Sequence, residues 1–491
     1  MKKTIILATL VIATCVCILF ACKKNQPSPA SNEAMASKNP SLRINAVTCN
    51  FVDLTGTLTT QTLSASNVYR LNGIVIVPSG QTLTIPAGTV IQGVQSSTNP
   101  AWLVIEKGGK LIATGTAGSP IVFTSNQPAG SRNPGDWGGI AFAGNAPTNV
   151  TSLSIPLKTP ATSYNLVGGG STPADNSGKL QYVQILFAGK ANSTDPLAQS
   201  GLILNSVGTG TAIDHIQVSN SLNDGIATYG GTVKQTFMVS YNAGRTDFPI
   251  SFGYEGIMQT LAAMRLNNSA VPPSNAYGFE ISNNARTTST ATPLTQPIIS
   301  NATVLGPNHC SGTTVSSNYI AAVHFRLNGA AKFYNSVFDA WNTSATQAGL
   351  LMDDAGSIAQ TASNNLEFSY NSFSNSGATP YSIGSLSWTG SGGCSTSLPV
   401  WITGAGTSTC KEAGNQFSVT TLGYDGSFCN DFCSSGFTSN FVLGTTTLSA
   451  PNFTWDTGSA FNHVTYRGAF GSTDFTQSWT NWCAQNTAYC L

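Results

Sequence analysis

The sequence predicts an all-β chain: a right-handed parallel β-helix, or solenoid, followed by a disulfide-rich carboxy-terminal region. Short segments rich in Val, Ile, Leu, Thr and aromatic residues recur from about residue 68 onward, each bounded by Gly, Asn or Pro. Leu83-Thr84-Ile85 with Gly88 is echoed by Leu103-Val104-Ile105 with Gly108, a spacing of about 20 residues, the order of one solenoid coil. Amphipathic segments long enough for helices are nearly absent. No single coil buries its inward face alone, so stacking of coils has to create the core. An antiparallel sandwich also produces many short strands and is the competing architecture.

Taken in chain order, Lys2 and Lys3 precede an apolar run over residues 5–20, and residues 1–21 read as a signal peptide. That run is short for a stable membrane span. It ends in Leu19-Phe20-Ala21-Cys22, which resembles the lipobox of bacterial lipoproteins, where a small residue precedes a cysteine that becomes diacylglyceryl-modified; Cys22 is therefore the expected lipidation site. Several acyl chains hold a protein far more firmly than one, at about 0.8 kcal/mol per buried methylene. Residues 22–45, the acylated cysteine and a polar stretch with Pro, Ser and Asn, read as a flexible tether. Residues 46–390 are expected to form the β-helix and residues 391–491 a Cys-rich extension or cap.

Composition narrows the function. Only 8% of residues are charged, against roughly 25% in an average soluble protein. Gly, Ser, Thr and Asn take their place, a surface chemistry of exported β-rich proteins. A formal net charge of +1 excludes the basic footprint that nucleic-acid binding needs. The expected place is the cell envelope, as an outer-membrane lipoprotein on either face.

Of 11 cysteines, Cys15 and Cys17 leave with the signal and Cys22 is acylated, so eight remain, an even number that suits disulfides in an oxidising compartment. The simplest local pairing joins Cys394 to Cys410, Cys429 to Cys433 and Cys483 to Cys490; Cys49 and Cys310 stay unassigned. A zinc site on Cys429 and Cys433 is the rival, with no histidine close by in sequence.

Several stretches together resemble Bacteroidetes-type envelope lipoproteins with right-handed parallel β-helix bodies. They are Gly115-Thr116 through Asn126, Gly135-Asp136-Trp137-Gly138-Gly139-Ile140, Asp175 through Val183, Gly230 through Lys234, and the closing Tyr466-Arg467-Gly468-Ala469-Phe470 with Trp479 and Trp482. The resemblance implies fold and location, not an activity. Members of that group often carry acidic runs at the stretches matching 242–248 and 275–284, and here most of those carboxylates are missing.

What remains is Asp224, Asp247 and Glu280, with Arg245 and Glu255 nearby in sequence. Asp224 and Asp247 lie close to one coil apart, which places them on one face about 4.8 Å apart, where they would raise one pKa or hold calcium, the one cofactor the pattern suggests. β-Helix lyases combine calcium-binding acids with a basic residue that takes a proton beside a uronate carboxylate, a part for Arg245. The structural alternative is a set of isolated turn residues. Asp353-Asp354 looks like the acid pair of β-helix glycoside hydrolases, but adjacent strand residues face opposite ways and that family's companion motifs are absent. His215, His309, His324 and His463 are scattered, and Gly-x-Ser-x-Gly does not occur. Among eight tryptophans, Trp137 in a Gly-rich turn is the expected exposed sugar platform. Asn205, Asn220, Asn242, Asn335 and Asn371 sit at turns, as left-handed residues or as a hydrogen-bonded ladder.

The favoured function is a non-catalytic envelope lipoprotein binding a polysaccharide or an envelope protein along a β-helix flank. The alternative is a polysaccharide lyase or glycoside hydrolase acting on acidic polysaccharide through Asp224, Asp247, Glu280 and Arg245.

Overall fold

Inward-facing aliphatic and aromatic residues recur at like positions of successive coils, and the strands they occupy hydrogen-bond in parallel. The computed structural model describes residues 49–489 apart from 159–163, 191–193, 266–271, 310–314, 342–347, 375–379, 390–396, 406–411, 420–421, 423–432, 434–438 and 444–447. Cys22 and residues 1–48 therefore lie outside the described residues, as do Cys310, Cys394, Cys410, Cys429 and Cys490. The expected parallel β-helix is present: among the described residues, 26 strands form one parallel system, pairing from coil to coil.

Three faces build each coil. The strands Gly178–Leu186, Ala212–Ser219, Gln235–Tyr241, Ile257–Met264 and Ile298–Leu305 stack on one another, and each is folded in two by a left-handed residue. Those residues are Tyr182, His215, Phe237, Thr260 and Asn301, with φ between 50° and 61°. Pairing skips each of them and resumes with Val183, Ile216, Met238, Leu261 and Ala302, a buried column of the core. A left-handed conformation costs an L-residue about 1–2 kcal/mol. Stacking outside the corner offsets it: Tyr182 and His215 rings lie 4.2 Å apart, and His215 and Phe237 rings 4.4 Å. The third face stacks Ser200–Asn205, Asp224–Tyr229, Thr246–Ser251, Ala276–Ser282, Tyr319–Arg326 and Ala348–Met352.

The coil spacing differs from the sequence expectation. Leu83 pairs with Leu111, and Leu103 with Val75, so the two echoing tripeptides occupy different faces. The coil here is longer because each of its faces takes a strand and a turn. Of the turn asparagines, Asn220, Asn242 and Asn335 are left-handed, while Asn205 and Asn371 are buried, donating to the carbonyls of Leu153 and Phe333. Trp137 is not the exposed platform the sequence suggested. It is fully buried, donates its indole N–H to the Leu186 carbonyl at 2.8 Å, and fills space left by Gly93, where a Cβ would lie 2.5 Å from its ring.

The last described strand, Gln416–Val419, pairs with Ser372–Ser374, so the stack continues beyond residue 390. The chain then returns along the outside of the corner. Side-chain amides hold this return segment as a strand would: Gln217 donates to and accepts from Asn481, Gln259 from Asn462, and Asn335 from Asn452. Phe441, Phe470, Trp479 and Trp482 pack beneath it on Val239, Tyr241, Ala262 and Met264. The segment is tied by a disulfide between Cys433 and Cys483, which corrects the local pairs Cys429–Cys433 and Cys483–Cys490 and removes Cys433 from any zinc site. Sequence neighbours were the wrong guide because the return segment brings distant residues together. Cys49 is also disulfide-bonded.

Where the coils end, burial pushes the Glu412 carboxyl up to about 7, although Ser369, which donates to it at 2.5 Å, acts in the opposite sense. A carboxyl raised in the folded state contributes stability that is complete below its unfolded value near 4.5 and is lost as pH rises through about 7. Glu412→Gln is expected to stabilise the protein at pH 8 by about 3 kcal/mol and to change little at pH 4. Denaturant unfolding at the two pH values checks this.

Candidate functional site

Alternation along the third face decides which side chains reach solvent. In Thr246–Ser251, Phe248 and Ile250 enter the core while Pro249 and Ser251 border a cleft; in Ala276–Ser282, Phe279 and Ile281 enter it while Glu280 and Ser282 border the cleft. Pro249 aligns with Glu280, and Glu280 with His324, so one outward column crosses three coils. The cleft has a cavity volume of about 60 Å³ and is bordered by Tyr229, Arg245, Ser251, Glu280 and Arg326.

Charges across it alternate in sign. Asp224 contacts Arg245 at 2.6 Å, Arg245 contacts Glu280 at 2.7 Å, and Glu280 contacts Arg326 at 2.7 Å. Exposure is uneven: Asp224 is 0% exposed and Glu280 9%, whereas Arg245 is 20% and Arg326 39%. The carboxylates lie below and the guanidiniums above them, so the face offered to solvent is cationic although the formal charges cancel. Burial raises the Asp224 pKa, with Arg245 opposing. Burial would also raise Glu280, but Arg245 and Arg326 overcome it and hold this carboxyl below its usual range. Burial acts against the charge on Arg245, and Asp224 and Glu280 outweigh it, so its pKa is raised.

The structure thus brings Asp224, Arg245 and Glu280 together and turns the Asp247 carboxylate to Arg265, still near enough to Asp224 for that charge to add to the rise of its own pKa. The backbone N–H of Thr246 donates to Asp224 at 3.0 Å, so it is Thr246, not Asp247, that lies over Asp224. Asp247 accepts from Ser240 at 2.7 Å and from Arg265 at 2.9 Å, and burial pushes its carboxyl up to about 6. Arg265 also donates to the carbonyls of Arg245 at 2.6 Å and Tyr277 at 3.3 Å, which fixes the backbone that carries the cleft arginine. Glu255 is exposed and takes no part in these contacts. Among the described residues, no group of three or more His, Cys, Asp and Glu side chains is arranged to hold a metal ion.

Asp353 and Asp354, which follow the strand Ala348–Met352, diverge. Asp353 bonds His324 Nε2 at 2.7 Å, whereas Asp354 caps the helix Ala355–Gln360 by accepting from Ser357 N–H. Each histidine has an aspartate: His215 with Asp214, His309 with Asp339, His324 with Asp353 and His463 with Asp456. Sequence reasoning missed Arg326, Arg265 and His324. Long connections of unequal length separate their strands from Asp224, so no fixed spacing marked them.

An Arg245 held charged between two carboxylates is suited to pairing with an anion and poorly suited to accepting a proton. Removing Asp247 tests the support beneath it. Asp247→Ala leaves Arg265 buried and uncompensated and is expected to cost about 3–5 kcal/mol, read as a lower denaturant midpoint with an unchanged slope.

A family model described as "Pectate-lyase like beta helix domain" matches residues 56–404. No curated protein and no solved structure matches the chain.

Proposed function

The chain belongs to the pectate-lyase-like β-helix family, and from that premise we propose that it is a cell-envelope lipoprotein that binds acidic polysaccharide, without cleaving it, in the cleft of its third face. The observation that carries this reading is the uneven exposure of the ion chain. Arg326 and Arg245 face solvent while their partner carboxylates lie underneath. A guanidinium pairs with a carboxylate or sulfate in a bidentate fork, and a rigid partner below it lowers the ordering cost of doing so. Tyr229, Pro249, Ser251 and Ser282 form the buried floor of the cleft, with the two serine hydroxyls bonded to each other at 3.0 Å, so the guanidiniums are the groups a ligand meets.

Support for binding without cleavage comes from the state of the candidate groups. Arg245 is held charged and Glu280 is held ionised by two guanidiniums, while Asp224 and Asp247, whose pKa values burial raises, are fully buried and out of a ligand's reach. A general base needs a free lone pair at the substrate, and a general acid a proton to give. The anchor belongs to the same reading: a lipid on Cys22 and the tether after it would keep a polysaccharide-binding solenoid at the envelope. The family description favours a second reading, a lyase or glycoside hydrolase acting on acidic polysaccharide at this face.

Arg326→Gln is expected to weaken binding of acidic oligosaccharides at least tenfold, about 1.4 kcal/mol, and to leave neutral ones unchanged. Titration calorimetry over a range of salt concentration measures this; equal loss for neutral and acidic ligands would sink the proposal. Wild-type protein incubated with uronate polymers is expected to generate neither unsaturated-product absorbance nor new reducing ends, with or without calcium. Either signal establishes the second reading instead. Cys22→Ala is expected to move the protein from the membrane fraction to the soluble fraction, with loss of the acyl mass from the amino-terminal peptide.

A further inference from the structure

We infer that the cleft is blind at one end and takes the terminus of an acidic glycan, not an internal stretch. This inference rests on the acidic-polysaccharide reading of the same cleft and adds the part of the chain that is recognised.

Parallel coils leave a lengthwise furrow along an outer face, and a polymer lying in it would run from coil to coil. Here the furrow is stopped. The hairpin Leu153–Lys158 with Tyr164–Gly168 lies across the outer side of the third face, and Leu153, Ile155, Leu157 and Leu166 bury themselves on Ile203, Ala227 and Tyr229. The single turn Pro196–Ala198 packs into the same cluster, and Pro196 and Leu197 then form the border of the cleft on that side. Arg286 clasps the two parts: it donates to Asp195, which precedes the turn, at 2.7 Å, and to the Ser154 carbonyl of the hairpin at 2.9 Å, with its guanidinium 5.8 Å from the Phe252 ring.

The opposite side is open. Arg326 is 39% exposed and Asp353 45% exposed, one coil further along. A chain entering from there meets Arg326, then Arg245, and stops against Leu197 and Pro196. A cavity volume of about 60 Å³ is far below that of sites that enclose a whole ligand, so the cleft seats the acidic group and one edge of a terminal sugar and leaves the rest in solvent. The wall is apolar and closely packed, so a second polar sugar pushed against it would lose hydration without recovering hydrogen bonds.

Stoichiometry on chains of defined length tests this. The full-length protein is titrated with oligogalacturonates from short to long and with the polymer, and the number of protein copies per chain is read by sedimentation or light scattering. End recognition predicts one copy per recognised end at every length and an affinity that stops rising after the first few sugars. Copies per chain that grow with length overturn the inference while leaving the acidic-glycan reading intact. Binding to none of these uronates defeats both. The double variant Asp195→Asn with Arg286→Gln, checked for native circular dichroism, unclasps the wall and is expected to gain copies along the polymer. A folded double variant with unchanged end-only binding would show that this clasp does not set the stop.

Discussion

In-register stacking is the constraint on which the rest of the molecule depends. Parallel hydrogen bonding between coils puts each outward side chain about 4.8 Å from its counterpart above and below, with no freedom to slip because a one-residue shift turns the core outward. At that spacing two like charges repel strongly and two unlike charges attract. A chain built this way has two ways to cover its flanks: neutral polar residues, or charges that alternate. Both are visible. Only 8% of the residues are charged, and where charges do face one another across coils they run Asp224, Arg245, Glu280, Arg326. The unusual composition and the ion chain follow from the same geometry.

The same constraint explains what the sequence disclosed. Short strands and their turn residues report local chemistry, so the β-helix, the absence of long helices among the described residues and the left-handed asparagines at 220, 242 and 335 were legible. Alignment between coils is not local. Turns vary in length, so Leu83 meets Leu111 instead of Leu103, and Asp224 lies under Thr246 instead of Asp247. A single-residue difference in turn length was enough to separate the two aspartates that spacing had joined. Arg245 was found because it lies near Asp224 in sequence and Glu280 because it is a carboxylate left in the stretch 275–284, whereas Arg265 and Arg326 had no signal of their own. Trp137 misled for a related reason. Glycines at 93 and 138 did not mark an exposed turn; they make room for close packing, and a Cβ on Gly138 would strike Trp102 at 2.2 Å.

The return segment shows how an irregular chain can be fixed on a solenoid without becoming one of its strands. An amide side chain presents a donor and an acceptor in the same geometry as a peptide group, so Gln217, Gln259 and Asn335 each satisfy both backbone groups of a residue lying across them. The aromatic residues beneath supply the apolar area, and the Cys433–Cys483 bond shortens the loop that must be ordered. One flank of the solenoid is thereby closed, and the open cleft falls on the third face.

Burying four charges in a row is a poor way to stabilise a flank. The desolvation of each ion offsets much of the attraction, and apolar residues of similar volume serve a fold as well or better. The neighbouring coils show that this chain uses that simpler solution: Ile203 and Ala227 cover the same face beneath the hairpin with no charge at all. The ion chain begins where the hairpin's cover ends, and its guanidiniums are the members turned to solvent. Stability does not require that arrangement, and the proposed anion-binding site would use it. Glu280 fixes Arg326 and Arg245 in place before any ligand arrives, so a carboxylate or sulfate reaching them meets donors already oriented. The physical reason for the charges and the functional reading of the cleft therefore rest on the same four side chains.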